Sequence, residues 1–217
     1  MSGGILSGQE LHQAILQKDI TITPFDDTHL GRLNPASYDL TLGSKIAVYR
    51  DVVIPDFSIP FGEIMQKAPR GAIPGCMVQP VIGFNNIIDS AKKNEVAEYE
   101  MDSRGFLLKP GIGYLMHTAE RVHTEKYVPI IDGKSSIDRL FAFIHVTAGY
   151  GDPGFDGQYT LEVVVVHPLV VYPGMRFCQM RFHTIVGDVK SYKETGNYKG
   201  TLAEGPIPSQ SYRMFEK

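Results

Sequence analysis

From residue 20 to the C-terminus, Gly, Pro, Asn and Asp cut the chain into apolar runs too short for helices. That punctuation restricts it to folds built from many short strands. The runs are Ile20–Thr23, Ser37–Leu42, Lys45–Tyr49, Phe106–Leu108, Tyr114–His117, Val128–Ile131, Phe141–Val146, Tyr159–His167, Leu169–Tyr172 and Phe177–His183. Twenty-two glycines and 14 prolines in 217 residues supply the breaks, and runs recurring at roughly 8–12-residue spacing predict a sandwich or barrel. Pro110-Gly111 and Pro173-Gly174 each read as a hairpin turn. One helix precedes the strands. Ser7-Gly8-Gln9-Glu10 has the form of a capping box, and Leu11, Ile15 and Leu16 follow at helical spacing up to Lys18-Asp19. A second, short helical tendency lies in Ser90–Ala97. The expectation is one mostly-β domain over 1–217, with an elaboration at about 60–104 and a polar, Gly/Pro-interrupted tail at about 187–217.

Charge and cysteine content narrow the function classes. Twenty-one Lys+Arg against 24 Asp+Glu leave a net charge of -3, which provides no global field for a nucleic-acid polymer or an anionic membrane, though a local basic pocket for a small anion is compatible with it. Cys76 and Cys178 are too few for a disulfide framework and form no C-x-x-C pair, so a reducing, cytoplasmic setting is expected. The first residues lack the basic region and long apolar stretch of a signal peptide, and no run reaches transmembrane length. The seven histidines show no close ligand spacing, so no zinc site is expected.

Four segments carry residues able to do chemistry. Glu162 interrupts Tyr159-Thr160-Leu161-Glu162-Val163-Val164-Val165-Val166, a run apolar on both strand faces. A carboxylate desolvated there would have a raised pKa and could act as a general base, while a structural ion pair or a strand-end Glu is the other reading. Gly133-Lys134-Ser135-Ser136 invites comparison with a phosphate loop, but Val128 stands where the Walker pattern needs a glycine. If a helical turn starts there, Ser135 and Arg139 lie on one face; from spacing alone, a capping serine followed by a surface arginine is the simpler account. The third segment, Gly149 to Gly157, is a glycine-laden connection holding Tyr150, Asp152, Phe155 and Asp156, and such turns usually only reverse the chain. In the fourth, Asn34 to Gly43, Asp39 interrupts an otherwise strand-like run and can be structural.

Together these segments resemble the dCTP deaminase branch of the dUTPase-like superfamily. The matching strings are Pro35-Ala36-Ser37-Tyr38-Asp39-Leu40, Leu108-Lys109-Pro110-Gly111, Gly133-Lys134-Ser135-Ser136 with Arg139-Leu140, His145-Val146-Thr147-Ala148-Gly149, Asp152-Pro153-Gly154-Phe155, Thr160-Leu161-Glu162, and Tyr172-Pro173-Gly174-Met175 with Gln179. The resemblance implies a homotrimer of distorted, jelly-roll-like β-barrels with an N-terminal helix, a few short helices and active sites between subunits. It implies a dCTP or dUTP substrate accompanied by Mg2+, and a deamination without zinc. On this analogy Glu162 is the general base, Ser135 and the Ala148 carbonyl position the water, and Arg139 holds the serine and the carboxylate. Lys134, Ser136, Val146, Thr147, Phe155, Gln179, Tyr198 and Lys199 would contact the substrate. The implied reaction is dCTP to dUTP and ammonia, in pyrimidine deoxynucleotide supply. Gly149 after Ala148, with Asp152 beyond, is similar to members that continue to dUMP and diphosphate, with Asp152 assisting the second hydrolysis. A non-catalytic, nucleotide-sensing or protein-binding member is the alternative of a different class. The chain departs from the family pattern where Thr41 replaces a usual arginine, where Val163 to Val166 lacks the asparagine usual after the glutamate, and where Asn197-Tyr198-Lys199 replaces a lysine-tyrosine pair and a later glutamine.

Overall fold

A computed structural model describes residues 3–25, 31–49, 88–144, 148–198 and 204–216. Val146, Thr147, Lys199 and most of the elaboration expected at about 60–104 lie outside these residues.

The helix α1 spans Gly8–Leu16, and the Ser7 side chain accepts a hydrogen bond from the Glu10 amide at 3.2 Å, as the capping box predicts. It ends where Gln17 caps it and Lys18 takes a left-handed φ of 63°. The buried stripe is Gly8, Leu11 and Ala14, and Leu16, expected on it, faces outward.

The strands are β1 (Ile20–Thr23), β2 (Tyr38–Thr41), β3 (Lys45–Tyr49), β4 (Val96–Glu100), β5 (Phe106–Leu108), β6 (Tyr114–Thr124), β7 (Tyr127–Gly133), β8 (Ala142–Phe143), β9 (Asp156–Val165), β10 (Leu169–Val171) and β11 (Arg176–Thr184). Short helices α2 (Ser135–Asp138) and α3 (Tyr192–Thr195) and a 3-10 turn at Ser211–Phe215 complete the described elements. Among the described residues the strands form one sheet in the order β4-β3-β6-β9-β8 with β1 added on β6, a second in the order β2-β11-β7, and a β5-β10 pair. This is the mostly-β architecture expected.

Both Pro-Gly segments differ from the hairpin expectation. Pro110-Gly111 separates β5 from β6, and Pro173-Gly174 separates β10 from β11, yet neither pair of strands is hydrogen-bonded together. Each turn is a corner that carries the chain from the small β5-β10 pair into a larger sheet. Gly111 and Gly174 supply the left-handed φ of 79° and 78° that these corners need. Ser90–Ala97 is not helical: a turn at 90–92 leads into β4, an exposed edge strand paired with β3.

The core lies between the sheets. On β9 the odd-numbered Leu161, Val163 and Val165 are buried with Met116, Val122, Phe177 and Phe182, and each such side chain contributes about 1.5–3 kcal/mol. The even-numbered residues of β9 point away from that core. No helix among the described residues is long and apolar enough to cross a membrane.

His117, on β6, is 4% exposed, and its ring fills the space beside Gly43, where an added Cβ would come within 2.0 Å of it. Nδ1 donates to the Thr118 carbonyl at 2.9 Å, and Nε2 accepts from the Lys45 amide at 3.2 Å. Burial, reinforced by the nearby Lys45 charge, holds the imidazole below its ordinary pKa of 6.5 and outweighs the opposing pull of Thr118, Gln158 and Glu204. The unfolded chain therefore binds a proton more readily. This contribution to stability is complete above pH 6.5 and is lost as pH falls toward the folded-state value. Urea unfolding of wild type and His117→Gln across this range should show a shallower acid-side decline in the variant; parallel declines would refute the assignment.

Candidate active site

The even face of β9 forms the floor of a cavity of about 530 Å3. Gln158, Thr160 and Glu162 line it from β9, Leu115 from β6 and Tyr49 from β3. Glu162 sits opposite Leu115 in the antiparallel β6-β9 register, with Thr160 and Val164 on its own face. It is exposed, which corrects the expectation of a carboxylate buried in a dry strand. The reason is the period-two alternation: the valines that make the run look apolar on both sides place only Val163 and Val165 in the core.

The glycine-rich connection forms a second wall. It is pinned by Ile131 N to the Gly149 carbonyl at 2.8 Å, Gly151 N to Pro129 O at 2.8 Å and Gly154 N to Thr124 O at 2.7 Å. Ala148, Tyr150, Asp152 and Phe155 thereby face the same cavity as Glu162. Phe155 is held edge-on by Tyr159 at 4.9 Å and by Tyr192 at 5.6 Å between ring centres. Burial pushes the Tyr159 phenol well above its ordinary range, and the Asp152 charge adds to that push.

The tail supplies the remaining walls. Tyr192 N donates to the Pro153 carbonyl at 2.7 Å, while Ser191 Oγ and Lys193 Nζ reach Glu125 at 2.9 and 2.6 Å. The Lys193 ammonium, followed by the Ser191 hydroxyl, holds the Glu125 carboxyl below its usual range. Farther on, 204–210 crosses β9 as a strap: Gly205 N donates to Gln158 Oε1, Ile207 N to Thr160 Oγ1 and Ser209 N to the Tyr49 hydroxyl, each at 2.9 Å. Tyr198, Ile207 and Ser209 line the cavity.

A second group stands apart from this cavity. Ile137, buried on α2, anchors the turn, and Arg139 N bonds the Ser135 carbonyl at 3.2 Å. The turn expected to bring Ser135 and Arg139 together therefore exists, but its N-cap is Lys134 rather than the serine. Ser135, Ser136 and Arg139 are exposed and do not line the Glu162 cavity. Lys134 Nζ is bound to the buried Asp39 at 2.7 Å. Gln179 is similarly occupied, donating to the Gly133 carbonyl and accepting from Ser37 Oγ, both at 3.0 Å. Among the described residues no three His, Cys, Asp or Glu side chains converge to hold a metal ion.

The site residues expected from sequence thus fall into two groups within one chain. Glu162, Ala148, Asp152, Phe155 and Tyr198 share a cavity; Lys134, Ser135, Ser136, Arg139 and Gln179 lie around α2. Sequence reasoning missed Tyr49, Tyr159, Tyr192 and Ile207; the aromatic content of the tail was the available signal for Tyr192.

Gly154 joins the tail to the glycine-rich wall. Its φ is +91°, and an added Cβ would lie 2.1 Å from Ser191 Oγ. Gly154→Ala should detach the segment from Ser191 onward and make it the first site of limited proteolysis, with the barrel intact; an unchanged digestion pattern would refute this role.

Comparison with known proteins identifies the family. The family described as dCTP deaminase-like matches residues 5–58 and 78–185. A protein of Hathewaya histolytica named dCTP deaminase, dUMP-forming, is 36% identical over 212 residues, covering 98% of this chain and 99% of its own length. One of the same name from Cytophaga hutchinsonii is 38% identical over 213 residues, with the same coverage. The crystal structure of 2'-deoxycytidine 5'-triphosphate deaminase from Agrobacterium tumefaciens shares the fold, with a TM-score of 0.56 and 20% identity, over 90% of this chain and 54% of that one. With three quarters of its length inside the family match and relatives aligned almost end to end, this chain belongs to the dCTP deaminase-like family.

Proposed function

We propose that the chain hydrolyses dCTP in two steps, first to dUTP and ammonia, then to dUMP and diphosphate. The observation that carries this reading is that Glu162, Ala148 and Asp152 line one cavity. In the first step Glu162 takes a proton from a water that attacks C4 of cytosine and returns it to the leaving ammonia. In the second, Asp152 directs a water at the α-phosphate. The shared cavity supports dUMP over dUTP as the product released, since both carboxylates can act without the nucleotide leaving, and it agrees with the dUMP-forming name of the relatives. Magnesium enters with the triphosphate, where it would neutralise phosphate charge.

The site is completed by a neighbouring copy in a homotrimer. Support comes from the separation of the Ser135–Arg139 turn from the Glu162 cavity and from the exposed Leu140 and Phe141 beside that turn, Phe143 on β8 and Val166 just after β9. Such an apolar group on a soluble surface marks an interface.

Incubation with dCTP and Mg2+ should release ammonia, dUMP and diphosphate. Glu162→Gln should lower turnover by about 10²–10⁴-fold, and Asp152→Asn should leave ammonia release in place while dUTP accumulates. Binding of dCTP without ammonia release overturns the reading. Mixed trimers of Glu162→Gln and Ser135→Ala chains should recover activity that neither variant has alone; no recovery would refute the shared site.

A further inference from the structure

Asp39 lies on β2 with 0% exposure, and two donors and a further cation converge on its carboxylate. Asn34 Nδ2 reaches Oδ1 at 2.8 Å; Lys134 Nζ at 2.7 Å and Arg176 Nη1 at 3.5 Å share Oδ2. The two cations are placed differently. The Lys134 side chain is 21% exposed and directly precedes Ser135 at the start of α2, whereas that of Arg176, on β11, is 54% exposed. Arg176 lines a second cavity, of about 560 Å3, together with Arg32, Thr41 and Glu120. Glu120 does not require Arg176, because it already accepts from Arg32 Nη1, Thr41 N and Thr41 Oγ1.

A fully buried carboxylate that loses its counter-charge is strongly destabilising. Lys134, expected from the family resemblance to meet the nucleotide, therefore cannot turn to a phosphate unless another cation takes over Asp39. Among the described residues Arg176 is in place to do so. It stands beyond hydrogen-bond distance from the same oxygen, its side chain borders open space, and its guanidinium has donors left besides the one given to the Gly31 carbonyl at 3.2 Å.

We infer that Arg176 is an exchange partner for Lys134: when the phosphates of a nucleoside triphosphate draw Lys134 off Asp39, Arg176 closes onto the vacated carboxylate oxygen. Arg176 is then a positioning residue that sets nucleotide affinity without touching the nucleotide. This inference rests on the reading of the chain as a dCTP-binding enzyme, and it gives a function to a residue in neither site group.

The test is a double-mutant cycle read as dCTP affinity. dCTP with Mg2+ is titrated calorimetrically into the full-length Glu162→Gln chain, in which turnover is suppressed. Adding Arg176→Met should weaken binding about 10-fold, Arg176→Lys should recover most of that loss, and in an Asp39→Asn background Arg176→Met should change affinity by less than about twofold. A purely structural or a direct phosphate-binding Arg176 would cost the same in the Asp39→Asn background as with Asp39 in place, and that result overturns the exchange. No penalty for Arg176→Met overturns it as well. Should Asp39→Asn fail to fold, the NMR signal of 13C-dimethylated Lys134 reads the same event. It should move on adding dCTP to the Glu162→Gln chain and stay fixed when Arg176→Met is also present; a signal fixed in both, or moving in both, overturns the proposal. A Glu162→Gln chain that binds no dCTP overturns the functional reading and the exchange together, whereas binding with a penalty that survives in Asp39→Asn overturns the exchange alone.

Discussion

The two-sidedness of β9 is the constraint on which the rest of the molecule depends. Pairing with β6 and β8 fixes its register, so every odd residue from Leu161 to Val165 enters the core and every even residue from Gln158 to Glu162 faces the cavity. A shift of one residue would exchange the two sets, placing a carboxylate and an amide in the core and valines in the cavity. The buried face thus prevents the slip that would destroy the site. Core and cavity lie on opposite sides of the same ten-residue strand.

Much of this is legible in the sequence, and the failures have physical causes. The capping box at Ser7, the short strands and the turn at Ser135 follow from local chemistry. The Pro-Gly segments show that local turn chemistry specifies a bend but not which strands pair across it: both are corners between sheets. Glu162 looks buried in the sequence because Val163 to Val166 presents no polar residue to reveal the alternation. β6 extends seven residues beyond His117, through Glu120, Arg121 and His123, because Glu120 is neutralised by Arg32, 88 positions away in sequence. No window along the chain reveals such a partner. β4 escapes sequence reasoning for the related reason that an edge strand tolerates the charges of Val96–Glu100, which mimic a solvated helix.

Two kinds of electrostatic arrangement coexist. Asp39 and Glu120 are enclosed and tied to charged partners: Glu120 collects three donors from Arg32 and Thr41, and Asp39 collects Asn34 and Lys134 with Arg176 nearby. Glu162 and Asp152 stand instead at the surface of a cavity, within reach of a ligand that enters it. Thr41 belongs to this division: its hydroxyl and amide serve Glu120 from short range, while the cation comes from Arg32, outside the strand.

The strap at 204–210 has a further consequence. Its amides end on the side chains of Gln158, Thr160 and Tyr49 and not on the backbone of a neighbouring strand. No rung of the β6-β9 ladder depends on it, which is the arrangement of a segment able to open separately from the barrel. Its amides should therefore exchange with solvent through a local opening, ahead of those of β9, so that the cavity can open without the barrel unfolding.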